Sequence, residues 1–456
     1  MGALDNLWVG AVRLVLEGEH DTALVRGDTR QLLRELPDAC VDAIVTDPPY
    51  ELGFMGKAWD KSGIANDPAM WADALRVLKP GGHLLAFSGA RTYHRMVCAI
   101  EDAGFEIRDQ IMWVYGSGMP KSRNVAKYDM AGADAEEWEG WGTGLKPAHE
   151  PIVVARKPLA GTVAGNLLAH GVGAYHIDAC RVGMSAADRD DYIEKRRSFA
   201  GAKTNDGANV TFNASKVLSP EQLIANSAQG RWPANLIHDG SAEVLALFPA
   251  ADGAHSGVKG AEPSMAGTGL QGRPRKRLAA PRVGGAGGVG FAMGAGERRE
   301  DVGSAARFFY CPKATRKDRN DGCDSAEVPA VGSGATMRDC EEAKWSARNG
   351  NDHPTVKPTE LMRYLVRLVA RPGAVVLDPF MGSGSTGRGA RLEGCRFVGF
   401  DLDAHNVDIA GRRIRAVQAI SPAPATEPAP TPEKTPPAPA PQAGEASPQL
   451  DLLENL

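Results

Sequence analysis

The run Ala43-Ile44-Val45-Thr46-Asp47-Pro48-Pro49-Tyr50 constrains this chain more than any other stretch. Its apolar, β-branched half reads as a buried strand. The two prolines forbid continuation, because neither has the N–H that a ladder needs. The strand therefore stops on a carboxylate, free carbonyls and a flat ring. Open α/β sheets bind ligands at such carboxyl ends. A carboxylate and a backbone carbonyl can accept both hydrogens of an exocyclic amine, while the ring stacks on the base that carries it. A plain strand-to-loop turn uses the same Asp-Pro opening, so the tetrad by itself fits both readings.

A second strand end narrows the choice. Val375-Val376-Leu377 reads as a buried strand running into Asp378-Pro379-Phe380-Met381-Gly382-Ser383-Gly384-Ser385-Thr386-Gly387, followed by a helix that Gly394 closes. A Gly-x-Gly turn between strand and helix lets a nucleoside-bearing ligand approach the backbone and presents helix N-terminal N–H groups. Phe397-Val398-Gly399-Phe400 follows with Asp401 at its tip. An acid about 20 residues beyond the turn is placed to grip ribose hydroxyls. Asp403 is a second candidate for that task. The third glycine is not at dinucleotide spacing, which argues against NAD.

The rest of the first third alternates strand and helix, the pattern of a doubly wound sheet. Ala23 to Asp28 is a strand ending in Gly-Asp, and Thr29 to Leu36 is a helix with Leu32, Leu33 and Leu36 on one side. The loop after Tyr50, with Gly53, Phe54, Gly56 and Trp59, suits a substrate cover. Trp71 to Leu78 reads as a helix that Lys79-Pro80-Gly81-Gly82 ends in a turn, before a strand over His83 to Phe87. Arg91 to Ala103 reads as a helix, and Phe105 to Tyr115 and Ile152 to Ala155 as strands.

From about Leu159 to Trp345 the rhythm fails. This stretch is Gly-rich and polar, with basic clusters at Lys195-Arg196-Arg197, Arg273-Pro274-Arg275-Lys276-Arg277 and Lys313 to Arg319, and a glycine run at 284–288. It reads as a large insertion. Beyond Ser421 the Pro, Ala, Thr and Glu content cannot bury a core, so disorder with polyproline II character is expected.

Composition bounds the class. The chain has 456 residues, 43% of them hydrophobic and 24% charged, ordinary for a globular protein but long for one domain. No apolar run is long enough to span a membrane, and no signal peptide is visible, so a cytoplasmic protein is expected. Seven scattered cysteines without a C-x-x-C pair suggest neither a metal site nor a disulfide framework. With a net charge of −4, any phosphate binding must use local basic patches.

Asp47-Pro48-Pro49-Tyr50 together with Asp378 to Gly384 resembles the amino-group DNA methyltransferases that use S-adenosylmethionine. Gly27-Asp28 and His353-Pro354-Thr355-Val356-Lys357-Pro358 are similar to two further motifs of that family. The order of tetrad, recognition region and cofactor loop resembles its permuted beta class. The resemblance implies a Rossmann-like, doubly wound α/β sheet with permuted motif order. It implies a catalytic half of the methyltransferase domain at 20–160, a target-recognition region at 161–345, a cofactor-binding half at 346–418 and a tail at 419–456. It implies that Asp47, Pro48, Pro49 and Tyr50 are catalytic and act on a base flipped out of double-stranded DNA. Asp28 would face the cofactor's adenine and Asp401 its ribose. Lys357, Asp378, Phe380, Gly382, Ser383, Gly384, Ser385 and Thr386 would surround the remainder, its methionine end above all. Asp at the first tetrad position is more usual for N6-adenine enzymes and Ser for N4-cytosine enzymes. Adenine is therefore expected, with cytosine the alternative. Enzymes acting on RNA or protein that carry a similar tetrad usually place the cofactor loop first. No Pro-Cys dipeptide is present for a carbon-5 cytosine route. Gln449-Leu450-Asp451-Leu452-Leu453 resembles the peptide by which bacterial proteins dock on the replication sliding clamp, which would let methylation follow the replication fork at the nucleoid; monomer and homodimer are both left open by the sequence.

Overall fold

The computed structural model describes residues 7–53, 58–118, and most of 122–193, 229–252, 302–323 and 351–417. Phe54 and Gly56, the basic clusters at 195–197 and 273–277, the glycine run at 284–288 and the whole 419–456 tail lie outside the described residues. The chain divides into one unit over Met1–Ile420 and another over Ser421–Leu456.

The described strands are β1 (Thr22–Arg26), β2 (Val41–Thr46), β3 (Leu78–Phe87), β4 (Glu106–Val114), β5 (His149–Arg156), β6 (Leu236–His238), β7 (Ala250–Asp252), β8 (Val302–Ser304), β9 (Val375–Asp378) and β10 (Arg396–Asp401). Eight of them form one sheet in the order β1-β10-β9-β2-β3-β5-β4-β6, while β7 and β8 pair separately. Pairing is parallel from β1 to β3; β5 then runs antiparallel to β3 and β4, and β6 lies parallel to β4. The carboxyl ends of β1, β10, β9, β2 and β3 and the amino end of β5 thus share one sheet edge. Strands from both ends of the sequence interleave: β9 and β10 sit between β1 and β2.

Every residue of β2 is buried. Alternate side chains of a strand point to opposite faces, so Ile44 packs with Leu33, Trp71, Leu84 and Leu377 on one face. Ala43 and Val45 pack with Leu85, Leu361, Leu365 and Val376 on the other. Each full burial of such a side chain contributes about 1.5–3 kcal/mol, so a slip of one residue would sacrifice both cores. The helix Thr359–Val369 covers the second face with Leu361, Met362, Tyr364, Leu365 and Leu368. The helix Pro68–Val77 covers the first; Asp67 caps it by accepting the Ala69 N–H, and Pro68 opens it.

One local expectation is corrected. Lys79-Pro80-Gly81-Gly82 is not a turn before the strand but a bulge inside it. Val41 pairs with Leu78 and Ala43 with His83, so between these pairs the single residue Asp42 of β2 faces the four residues Lys79–Gly82 of β3. Gly81 takes φ +80°, and its nearest neighbour is the Asn166 side chain, which donates to the carbonyls of Pro80 and Val172. The turn chemistry in the sequence is present, absorbed into a strand that resumes pairing beyond it.

Described stretches of the 161–345 region join the same unit. β6 extends the sheet, Tyr310 stacks on Tyr364 at 4.0 Å, and Asp318 accepts the Thr359 N–H at the start of the helix Thr359–Val369. No described helix is long and apolar enough to cross a membrane.

Candidate active site

The shared sheet edge opens on a cavity of about 1630 Å³, larger than the 300–1,000 Å³ usual for one small molecule. It has room for two ligands. Asp28, Asp47, Pro48, Pro49, Tyr50, Lys357, Asp378, Phe380, Gly382, Ser383, Ser385, Thr386 and Asp401 all line it, although 354 positions separate Asp47 from Asp401 in sequence (401 − 47).

Asp47 follows the last residue of β2. Its Oδ2 accepts from Lys357 Nζ at 2.6 Å, while its Oδ1 is buried and has no hydrogen-bond partner. Lys357 also lies 3.3 Å from Glu150 Oε2, and over the rings of Tyr50 and Phe87 at 5.3 and 5.0 Å. Burial opposes the lysine's charge, but Asp47 and Glu150 outweigh it and hold its pKa above the ordinary lysine range. Tyr50 donates its hydroxyl to Glu150 Oε2 at 2.9 Å, and Tyr115 approaches Glu150 Oε1 at 3.4 Å. Burial, then the charges of Asp47 and Glu150, push the Tyr50 phenol well up, so it stays a neutral donor.

The loop after the tetrad is tied down by Asp60. Its Oδ1 and Oδ2 accept the N–H groups of Glu51 and Leu52 at 3.0 and 3.2 Å. Glu51 sits at φ +55°, a left-handed conformation that a non-glycine residue holds only when its surroundings enforce it.

On the β9 side, Asp378 accepts from Thr46 Oγ1 at 2.6 Å and from the Phe380 N–H at 3.0 Å. Burial dominates these bonds and pushes its pKa up to about 7. Asp401 accepts the N–H groups of Gly382 and Asp403 at 3.0 and 2.8 Å, and burial raises its pKa as well. Asp28 caps the helix Thr29–Glu35 through the Arg30 N–H. Its neighbour Gly27 donates to the Asp401 carbonyl, which brings the ends of β1 and β10 together.

Gly384 is not among the cavity-lining residues. It adopts φ +80°, and a Cβ there would lie 2.9 Å from the Cα of Ala410. Its missing side chain admits the close approach of the helix that carries Ala410. Asp403 lines the cavity but is half spent, capping the helix Ala404–Arg415 through the His405 N–H.

Several residues of the site carried little sequence signal. Glu150 was detectable only as a charge immediately before the apolar run of β5. Asp60 lies in a polar stretch with no periodicity. Arg413, fully buried, donates to the carbonyl and hydroxyl of Ser383 and so braces the glycine loop from behind. In sequence it is one arginine among several at a helix end.

A family model described as DNA methylase, of the N6/N4 methyltransferase type, matches residues 41–412. The type II methyltransferase M.HindIII of Haemophilus influenzae is 34% identical over 107 residues, covering 22% of this chain and 35% of that protein. M2.DpnII of Streptococcus pneumoniae is 35% identical over 111 residues, covering 24% and 38%. The chain thus spans little more than a third of the length of these curated relatives. Among solved structures, the cytosine-N4-specific PvuII DNA methyltransferase aligns over 86% of both chains at 12% identity and TM-score 0.39. A complex of M1.HpyAVI with S-adenosylmethionine aligns over 86% of this chain and 98% of its own, at 14% identity and TM-score 0.35.

Proposed function

Because the chain belongs to the N6/N4 DNA methylase family, we propose that it moves a methyl group from S-adenosylmethionine to the exocyclic amine of a base flipped out of duplex DNA, adenine N6 at one short recognition sequence. The observation that carries this reading is the unpartnered Oδ1 of Asp47. A buried acceptor left open costs about 1–3 kcal/mol, and a base amine is a donor that would satisfy it. The Asp47 carboxylate would draw the amine's lone pair out of conjugation with the ring, and Tyr50 would stack on the base. A base inside a duplex cannot reach such a cavity, so flipping is required.

The cavity's own residues fit the cofactor. Asp28 and Asp401 stand at the adjacent ends of β1 and β10, as acceptors for an adenine amine and ribose hydroxyls. The Phe380–Thr386 loop would hold the remainder. The bound cofactor supplies an electrophilic methyl group on a positively charged sulfur. Asp47 would orient the amine and help carry away its proton once the nitrogen has gained the methyl, with no covalent bond to the protein.

The test is single-molecule sequencing of DNA from a methylation-free host expressing the chain, beside Asp47→Ala. N6-methyladenine in one motif, lost in the variant, is the expected result. N4-methylcytosine would keep the mechanism and correct the base. An unmodified genome from a host making folded protein would overturn the reading.

A further inference from the structure

Neither the tetrad nor the glycine loop accounts for Glu150. Its side chain lines the cavity and touches Tyr50, Tyr115 and Lys357 at once, so it is fixed on three sides. Lys357, only 8% exposed, bridges Glu150 and Asp47. An ammonium paired with Asp47 alone would leave the catalytic end of the cavity without net charge. It would then compete with any cation brought into the same space. A second carboxylate changes that balance: two negative charges face one positive charge, and the cluster keeps one negative charge.

We propose that Glu150 is an electrostatic positioning residue whose carboxylate offsets Lys357, leaving the catalytic end of the cavity with a net negative charge matched to a cationic methyl donor. This rests on the methyltransferase reading above and deepens it. Preorganised charge in a dry site acts without reorganisation at the moment of reaction. The favoured charge is the one present in the sulfonium donor and absent from the neutral thioether left after transfer. Glu150 therefore helps the site hold the donor and release the product, and its hydroxyl contact with Tyr50 keeps the stacking ring aligned.

The test compares affinities of the purified full chain for S-adenosylmethionine and S-adenosylhomocysteine by calorimetry at pH 8. Glu150→Gln keeps an acceptor for Tyr50 and leaves the Lys357–Asp47 pair intact, but removes the charge. Removing one unit charge from a site of effective dielectric about 20 alters the affinity of a nearby cation by roughly tenfold. The sulfonium-to-thioether affinity ratio should fall by about tenfold in Glu150→Gln. It should stay unchanged in the control Glu101→Gln, which removes an exposed carboxylate outside the cavity lining. A purely structural role would weaken both ligands alike and leave the ratio intact, which would overturn the inference. If Glu150→Gln does not fold, Lys357→Gln decides the matter: the ratio must then rise, and a fall or no change counts against the proposal. Wild-type protein that binds neither ligand would overturn both this inference and the methyltransferase reading. Wild-type binding of both, with an unmoved ratio in the variant, would remove only the inference.

Discussion

At the scale of single residues, the site separates carboxylates by environment. Asp378 is almost fully buried and its pKa is pushed up to about 7, against an ordinary value of 3.8. For an acid raised in the folded state, native protein holds more protons than unfolded protein between those two values. Stability from this group is therefore complete below pH 3.8 and is lost as pH rises through about 7. Asp378→Asn keeps an acceptor for Thr46 and the Phe380 N–H without the charge. It should raise the melting temperature by a few degrees at pH 8, and the gap should narrow at pH 5 and shrink further toward pH 3.8; thermal melts at pH 8 and pH 5 check this. Asp47 behaves differently, because it carries the chemistry. Asp47→Ala should lower the methylation rate by about a thousandfold, the order found on removing a key transition-state contact, while calorimetric affinity for S-adenosylhomocysteine, which carries no sulfonium charge, changes little. The tetrad was legible because prolines, an acid and an aromatic ring in sequence admit few structures. Glu150 was not, since its meaning comes from the antiparallel course of β5, which brings an amino end to an edge of carboxyl ends.

At the scale of elements, the glycine loop is shaped by what stands behind it. Gly382 meets the His353 ring and Gly384 the backbone of Ala410, each within 2.9 Å of a hypothetical Cβ. Both take positive φ. Gly384→Ala would combine left-handed strain with displacement of the helix Ala404–Arg415, costing about 2–4 kcal/mol. Urea denaturation should show the loss, and cofactor affinity should fall with it because Ser383 and Ser385 move too. The sequence supports a loop with glycines at these positions, yet the reason differs from ligand approach alone. Helical packing at long range, invisible in the motif, is what excludes a side chain at Gly384. The Lys79–Gly82 bulge makes the same point. Local turn residues were read correctly as turn chemistry, but only pairing with β2 on one side and β5 on the other determines that the strand continues through them.

At the scale of the whole molecule, every site residue falls within the Met1–Ile420 unit. The interleaving of β9 and β10 between β1 and β2 explains how motifs at opposite ends of the sequence meet, and why their permuted order does not prevent one cavity from forming. Motif order was legible; strand order across the sheet was not, because parallel pairing leaves no local mark. Among the described residues, the site chemistry falls to the Met1–Ile420 unit. Gln449-Leu450-Asp451-Leu452-Leu453 offers two adjacent leucines for an apolar groove. The stretch before it is Pro-rich. Leu452→Ala with Leu453→Ala should abolish capture of the full chain on immobilised bacterial sliding clamp, yet leave methylation of a short duplex unchanged. Equal capture of the variant would show that the leucines are incidental. Loss of short-duplex methylation would show that the tail acts on the catalytic unit itself.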